Sequence, residues 1–349
     1  MAEDGLAMPW RYVFRRLGIA LVQLAAISVG VFFLMRALPA DPVGHLVGFN
    51  ASAEAIAHTR HFLYLDRSQV DQLAIYLGLD TSNGPGLLQG NLGTSWTTGT
   101  SIAEEIRTYL PITLELITYS FFVAVLVAVP VGLLAALKPR GLLSKVVFVY
   151  SLFAGAQPEF WWGLTFIFLF YVKLHVAPAP LGILNPLEQA PPTITGMVTI
   201  DSLISGNMST FFEAASHLLL PVLTLAFVLS GPIIKMVRQN VLKTMQSDYM
   251  MYARSLGLSQ FRIATYTLKN SLAPCLTLIG ILYGYMLGGA VLIEQVFSLG
   301  GLGQYAVRSV LTFDFPAIQG IVLVTTTGSL LILLSIDVVH ALIDPRIAR

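Results

Sequence analysis

The sequence predicts an all-α integral membrane protein with six transmembrane helices and a sizeable external loop region between the first two. Three observations carry this. Of 349 residues, 55% are apolar and 11% charged, with a mean hydropathy of +0.74; a soluble domain, whose surface faces water, runs nearer a quarter charged. Six stretches are long and apolar enough to cross a hydrocarbon core that takes about 20 helical residues. Lys and Arg fall in alternate loops, the pattern that marks one face of a membrane as cytoplasmic.

The six spans are Leu17–Leu38, Pro111–Leu137, Val146–Lys173, Leu218–Ile234, Leu272–Val296 and Ala317–Ile343. The first is too long for a signal peptide and lacks a small-residue cleavage site, so it is expected to stay in the membrane. Residues 39–110 are polar and glycine-rich, as in Asn83-Gly84-Pro85-Gly86 and Gly90-Asn91-Leu92-Gly93, with helix expected near Ala53–Leu65 and Ser68–Leu77. Residues 111–343 form a five-span core. Its first span, Pro111–Leu137, is unbroken by charge except for Glu115. In the third span of the chain, Gln157-Pro158-Glu159 predicts a kink or a broken helix, tolerable at that depth only beside protein or a water-filled cavity. The fourth span is the shortest and carries Pro221 and Pro232, which leaves its ends open. No heptads, repeats or low-complexity runs appear, so one membrane domain is expected.

Orientation follows from the basic residues. The amino end (1–16), the loop after the second span, the loop 235–271 and the carboxyl end (344–349) together hold 14 Lys and Arg, including Lys235, Arg238, Lys243, Arg254, Arg262, Lys269, Arg346 and Arg349. The alternate loops, Pro39–Leu110, His175–His217 and Phe297–Pro316, hold only Arg60, Arg67, Arg107 and Arg308. Both termini are therefore expected in the cytoplasm of a multi-pass inner-membrane protein.

Several function classes are excluded. One cysteine, Cys275, allows no internal disulfide or cysteine-rich metal site and reads as an inert buried thiol. The net charge of +1 gives no reason to expect a nucleic-acid partner. No Gly-Lys dipeptide occurs, so there is no phosphate-cradling loop of the Walker type and no nucleotide is expected on this chain. No Ser and His are spaced as nucleophile and base. His58 and His61 can face one ion, but two ligands make a weak metal site, and solvated loop histidines are the simpler reading. The methionines, Met250-Met251 included, read as packing.

The loop 235–271 holds the most specific local signal. Asp248 reads as an N-cap, Tyr249–Leu256 contains no helix breaker, and Gly257 suits the left-handed position that closes a helix. Ser259 then caps a second helix over Gln260–Leu272. The first is a short helix about 12 Å long at 1.5 Å per residue. Tyr249, Ala253 and Leu256 share one face by 3–4 spacing, with Arg254 pointing elsewhere. That small apolar face is shaped to sit in another protein's groove; the plainer alternative is a basic inside loop that only sets topology.

Ala253-Arg254-x-x-Gly257-Leu258-Ser259, followed by Leu268-Lys269-Asn270-x-Leu272-x-Pro274, resembles the coupling loop of ABC importer permeases, in the variant of the dipeptide/oligopeptide permease family. The likeness runs along nearly the whole chain. It includes Arg15-Arg16-Leu17, Leu38-Pro39-Ala40-Asp41-Pro42-Val43, Gly90-Asn91-Leu92-Gly93-Thr94-Ser95 and Leu110-Pro111-x-Thr113-Leu114-Glu115-Leu116. It continues through Pro158-x-Phe160-Trp161, then Gly288-Gly289-Ala290-Val291 with Glu294-x-Val296-Phe297-Ser298 and Gly301-Leu302-Gly303. It ends on Asp337-x-x-x-Ala341-Leu342-x-Asp344-Pro345-Arg346. Ala40 replaces the family's usual glycine, Leu299-Gly300 stands where Trp-Pro is more usual, and Tyr252 precedes Ala253 where other importer classes carry Glu.

The resemblance implies the type I ABC importer permease fold and a chain that is not itself an enzyme. It implies a heterodimer with a second, homologous permease, two ABC ATPase subunits that carry ATP and Mg, and an external substrate-binding protein. The coupling contact would fall on Asp248, Tyr249, Ala253, Arg254, Leu256, Gly257 and Leu258, and the cargo would be di- or oligopeptides. Nickel or another small solute is the alternative cargo. A secondary transporter would show more intramembrane charge pairs and repeated halves, and an intramembrane enzyme would need polar residues converging from several spans.

Charges inside spans are costly and mark pathways or pairs. There are four: Glu115, Glu159, Glu294 and Asp337. Glu159, beside Phe160-Trp161-Trp162, can hold a peptide's ammonium group, or else lie at an interface or pair with a basic residue such as Lys173 or one on the sister subunit. Glu294 is near the outer end of the fifth span, where a gate would lie. Glu159, Trp161 and Glu294 are thus the candidates for the translocation path, whereas Glu115 and Asp337 are expected to pair or cap.

Overall fold

The computed structural model describes residues 10–343 apart from positions 40, 49, 81, 83 and 186. The end segment 344–349, with Arg346 and Arg349, and the turn residue Ala40 lie outside the described residues. The described chain is helical: α1 (Trp10–Ala37), α2 (Pro42–Val47), α3 (Ala53–Phe62), α4 (Gln69–Leu77), α5 (Ile102–Leu137), α6 (Leu142–Ala156), α7 (Glu159–Phe166), α8 (Val198–Ile204), α9 (Met208–Met245), α10 (Asp248–Ser255), α11 (Gln260–Gly289), α12 (Val291–Phe297), α13 (Leu302–Leu311) and α14 (Phe315–Ile343). A π-helical segment, Ile167–Lys173, extends α7.

Four of the described helices can cross a membrane alone by length and composition: Val13–Ala37, Ile102–Leu137, Met208–Met245 and Phe315–Val338. A fifth crossing comes from Phe261–Ser271 and Cys275–Gly289, bent by 55° around the stretch that carries Pro274. The expected third span is two pieces. Pro disfavours helix in the residue before it, so Gln157 is extended and α7 restarts at Glu159. The fourth is far longer than its apolar run: α9 passes straight through Pro221 and Pro232 for 38 residues, about 57 Å at 1.5 Å per residue. Prolines that punctuate a soluble helix are tolerated where neighbouring helices satisfy the freed carbonyls.

The centre of the bundle is α5 lying along α9. Small residues on α5 (Ala124, Ala128, Gly132, Ala135, Ala136) are buried against Leu225, Leu229, Ile233 and Val237 of α9. A Cβ at Gly132 would come within 2.9 Å of the Val237 side chain, so the two backbones approach as only small residues allow. The α1 helix sits at the edge, packed chiefly on α14 and α4. Outside the spans, Asp41 caps α2 with Pro42 at its first position, Ser52 caps α3 and Ser68 caps α4, matching the two helices expected in this region.

Candidate functional site

The turn after α9 shapes α10. Ser247 is extended, and its hydroxyl donates to the Thr244 carbonyl at 2.6 Å, so the chain leaves α9 sharply and restarts at Asp248. Asp248 is therefore the first helical residue rather than the N-cap. Its carboxylate still lies in the first turn, where negative charge favours the helix dipole. The far end is as expected. Gly257 has φ of +72°, its N–H donates to the Arg254 carbonyl at 3.0 Å, and the Leu258 N–H donates to the Ala253 carbonyl at 3.4 Å. These two bonds form a Schellman motif, which satisfies the last free carbonyls of α10. Ser259 then accepts from the Arg262 N–H and starts α11.

One side chain anchors this helix. Met250 is 1% exposed, while Tyr249, Met251, Tyr252 and Leu256 are 52–66% exposed. The outward apolar face is thus Tyr249, Tyr252 and Leu256, with Ala253 half-buried between them and Arg254 open to solvent. Met250 packs as read from the sequence and Met251 does not. Below the turn, Ser271 of α11 donates to Thr244 of α9 at 2.9 Å, so both helices that flank α10 are tied together. Cys275 is buried there and donates to the Ser271 carbonyl at 3.1 Å.

The four acids in the spans divide. Asp337 of α14 pairs with Arg16 of α1 at 3.1 Å. Glu115 is fully buried and accepts from the Val198 and Thr199 N–H groups at 3.0 and 2.9 Å, with the Thr199 hydroxyl donating as well; it caps α8 across the fold. Both fit the expectation of pairing or capping. Glu294 is fully buried too. It accepts from the Thr113 hydroxyl at 2.5 Å and from the Gln304 N–H at 3.0 Å, while Thr113 accepts from the Leu302 N–H at 2.8 Å. Together Thr113 and Glu294 cap the start of α13. Glu159 differs: it opens α7 half-buried, and among the described residues nothing pairs with its carboxylate. Lys173 lies at the other end of the same segment, about 20 Å away at helical rise, and rests 5.5 Å over the Phe168 ring. A Glu159–Lys173 pair is excluded by that geometry. Trp161 is exposed, edge-on to the buried Trp162 at 4.8 Å. His61 bonds Asp66 at 2.7 Å on the surface, and no three His, Cys, Asp or Glu among the described residues gather to hold a metal.

The family model for the binding-protein-dependent transport system inner membrane component matches residues 128–349, and the model for the N-terminal part of such components matches residues 9–117. The chain belongs to this family of inner-membrane transport components. A probable D,D-dipeptide transport system permease protein of Escherichia coli (strain K12) is 36% identical over 333 residues, 95% of either chain. A di/tripeptide transport system permease protein of Pseudomonas aeruginosa (strain UCBPP-PA14) is 34% identical over 338 residues, 96% of this chain and 98% of the relative. A dipeptide transport system permease protein of Escherichia coli (strain K12) is 31% identical over 341 residues, 97% and 98% of the two.

In this inner-membrane transport component the end opposite α10 is built on buried acids, of which the sequence singles out Glu115 and Glu294 but not Glu105, Asp201 or Asp314. Five acidic side chains are buried among the described residues: Glu105, Glu115, Asp201, Glu294 and Asp314. Each is met by hydroxyl or backbone N–H donors rather than by Lys or Arg. Glu105 accepts from Thr98 at 2.9 Å, from Thr100 and from the Tyr305 hydroxyl. Asp314 accepts from the Ser95 hydroxyl and the Trp96 N–H, closing the 94–101 loop onto α14. Asp201 accepts from the N–H groups of Ile194, Thr195 and Gly196. Burial pushes Asp201 up and these donors more than offset it, leaving its pKa below 3.8. Gly301-Leu302-Gly303 is part of this scaffold. A Cβ at Gly301 would lie 2.6 Å from the Glu294 carboxyl carbon, so glycine there lets the chain close over the acid.

Proposed function

We propose that this chain is a membrane-spanning permease subunit of an ATP-driven ABC importer for di- or oligopeptides. It crosses the membrane six times, α6–α7 with the π segment and α11–α12 each counting as one crossing, and both termini face the cytoplasm. With a second, related permease it lines the path. Two ATPase subunits, which carry the ATP and Mg, grip α10 from the cytoplasm, and an external binding protein delivers cargo at the α13 end. The observation that carries the reading is α10: a two-turn helix closed at both ends, anchored by Met250, and presenting Tyr249, Tyr252 and Leu256 outward. Such a knob on a rigid stem is what a partner must hold to move packed helices as rigid bodies. The peptide cargo is supported by the relatives, which are named as dipeptide and di/tripeptide permeases.

Within the path, Glu159 and Trp161 are the contacts for a peptide's ammonium group. Glu159 is an acid at mid-span with no partner among the described residues, beside an exposed indole. Glu294 positions the outer gate through α13. The test is purification of the chain with its native partners, followed by ATPase and peptide-uptake assays in proteoliposomes. ATPase subunits that co-purify and hydrolyse ATP in step with peptide uptake support the reading; a chain that transports peptide without them refutes it.

A further inference from the structure

A cavity of about 440 Å³ opens where α1 ends and the α2–α4 region folds over it. Arg36, Arg60 and Arg67 all line it, together with Asp41, Gln72 and Leu38. Arginine is scarce away from the α10 end: only Arg36, Arg60, Arg67, Arg107 and Arg308 occur there, and three of these five converge on one cavity. Each is held from behind. Arg36 donates through Nε to Gln72 Oε1 at 2.7 Å and through Nη1 to the Phe32 carbonyl at 3.2 Å, with its guanidinium 3.5 Å over the Phe32 ring. Arg60 reaches both Asp41 oxygens with Nη2 alone, at 3.1 Å. Arg67 stacks over Tyr64 at 4.7 Å, and its Nη1 stands 3.9 Å from Asp80, beyond hydrogen-bond reach. Three guanidiniums therefore face two carboxylates, and among the described residues Arg36 contacts no acid. The cluster keeps a positive charge and unused N–H donors.

Depth identifies the ligand. The apolar helix Val13–Ala37 has 25 residues, about 37 Å at 1.5 Å per residue, against a hydrocarbon core of about 30 Å. Arg36 thus stands at headgroup level. Met35, Leu38 and Leu65 line the cavity too, so apolar side chains stand beside the three cations, and Leu38 is exposed. Beyond its contacts with α14 and α4, the apolar part of α1 is only 11% buried within this chain. Guanidinium forks match phosphate oxygens bidentately, and an acyl chain below has the open face of α1 to lie on.

We propose that this cavity binds the phosphodiester headgroup of an anionic phospholipid such as phosphatidylglycerol. Phosphatidylethanolamine would bring its ammonium against three guanidiniums and is disfavoured. The test is native mass spectrometry of the assembled transporter, titrated with phosphatidylglycerol, with phosphatidylethanolamine, and with inorganic phosphate as competitor. Phosphatidylglycerol is expected to bind about tenfold or more tighter than phosphatidylethanolamine, and Arg67→Gln or Arg36→Gln to weaken it about tenfold or more, the factor for losing a charge-assisted hydrogen bond. Arg107→Gln, outside the cavity, is expected to bind as wild type. If Arg36→Gln fails to assemble, Arg67→Gln alone decides. Equal retention of the two lipids, undiminished binding by Arg67→Gln, or displacement of the lipid by millimolar phosphate would each overturn the proposal, the last by identifying a free-phosphate site.

Discussion

Gly303→Ala is the sharpest test of the scaffold around Glu294. An added Cβ would stand 2.7 Å from Val291 Cα and 2.9 Å from Glu294 Oε2. The first neighbour is backbone and cannot rotate away. Ordinary carbon contacts lie at about 3.5–4.0 Å, so α12 and α13 must part by about 1 Å. The Glu294–Gln304 bond, 3.0 Å long, then stretches out of hydrogen-bond range. Overpacking costs about 1–3 kcal/mol, and a lost bond to a charged group about 1.5–3 kcal/mol. The total is about 2.5–6 kcal/mol, large for one methyl group.

The measurement is the thermal midpoint of the purified transporter in detergent, read beside peptide uptake. Glu294→Gln keeps the shape but turns an NH₂ toward donors, so it is expected to cost less than Gly303→Ala. Gly300→Ala is the control: Gly300 also has positive φ, but nothing lies within 4 Å of its Cβ position, and only backbone strain of about 1–2 kcal/mol applies. A Gly303→Ala protein with the wild-type midpoint and full uptake would refute the close approach of α12 and α13, and with it the capping role of Glu294.

Three further outcomes are expected. Gly257→Val should lower co-purification of the ATPase subunits and uncouple hydrolysis from uptake, because its site is sterically open but held at φ +72°, where a β-branched residue is strained; Gly257→Asn should be milder, and full coupling in Gly257→Val would sink the assignment of α10. Glu159→Gln should abolish or sharply reduce uptake while leaving assembly, thermal midpoint and basal ATPase intact; a lost midpoint would instead make Glu159 structural. The folded pKa of Asp201 is depressed, so its contribution to stability is complete above the unfolded value of about 3.9 and is lost as pH falls through the lower folded value. Wild type should thus lose stability below about pH 4 relative to Asp201→Asn, which lacks that component at every pH; parallel curves for the two would contradict it.

How much of this was legible depends on the range of the interactions. The break at Gln157-Pro158 and the Gly257 turn were visible because proline and glycine act on their own dihedral angles. The N-cap was off by one residue: Ser247 and Asp248 are both good caps, and the choice is made by the Thr244 carbonyl, which takes the Ser247 hydroxyl. The ends of α9 are open from sequence because Pro221 and Pro232 can each interrupt a helix, and it is packing on α5 that carries the helix through both. The partners of the buried acids could not be read at all. Thr113 meets Glu294 from 181 residues away and Glu115 meets Thr199 from 84, and no local pattern announces such a meeting.

That same long-range wiring separates Glu159 from its neighbours. A buried acid without donors carries the full penalty of desolvation, and the chain meets that penalty at Glu105, Glu115, Asp201, Glu294 and Asp314 with hydroxyls and backbone N–H groups from distant elements. The supply of donors in this fold is evidently sufficient: Thr199 alone gives Glu115 two. Glu159 receives none among the described residues, although it opens a helix at mid-span beside a chain break where free backbone groups are near. A carboxylate left open in that way is compatible with a bilayer only where water or a cationic group reaches it. The path proposed above would meet both conditions, because a peptide brings an ammonium at one end and water with it, and loss of uptake in Glu159→Gln with assembly intact is what that proposal requires.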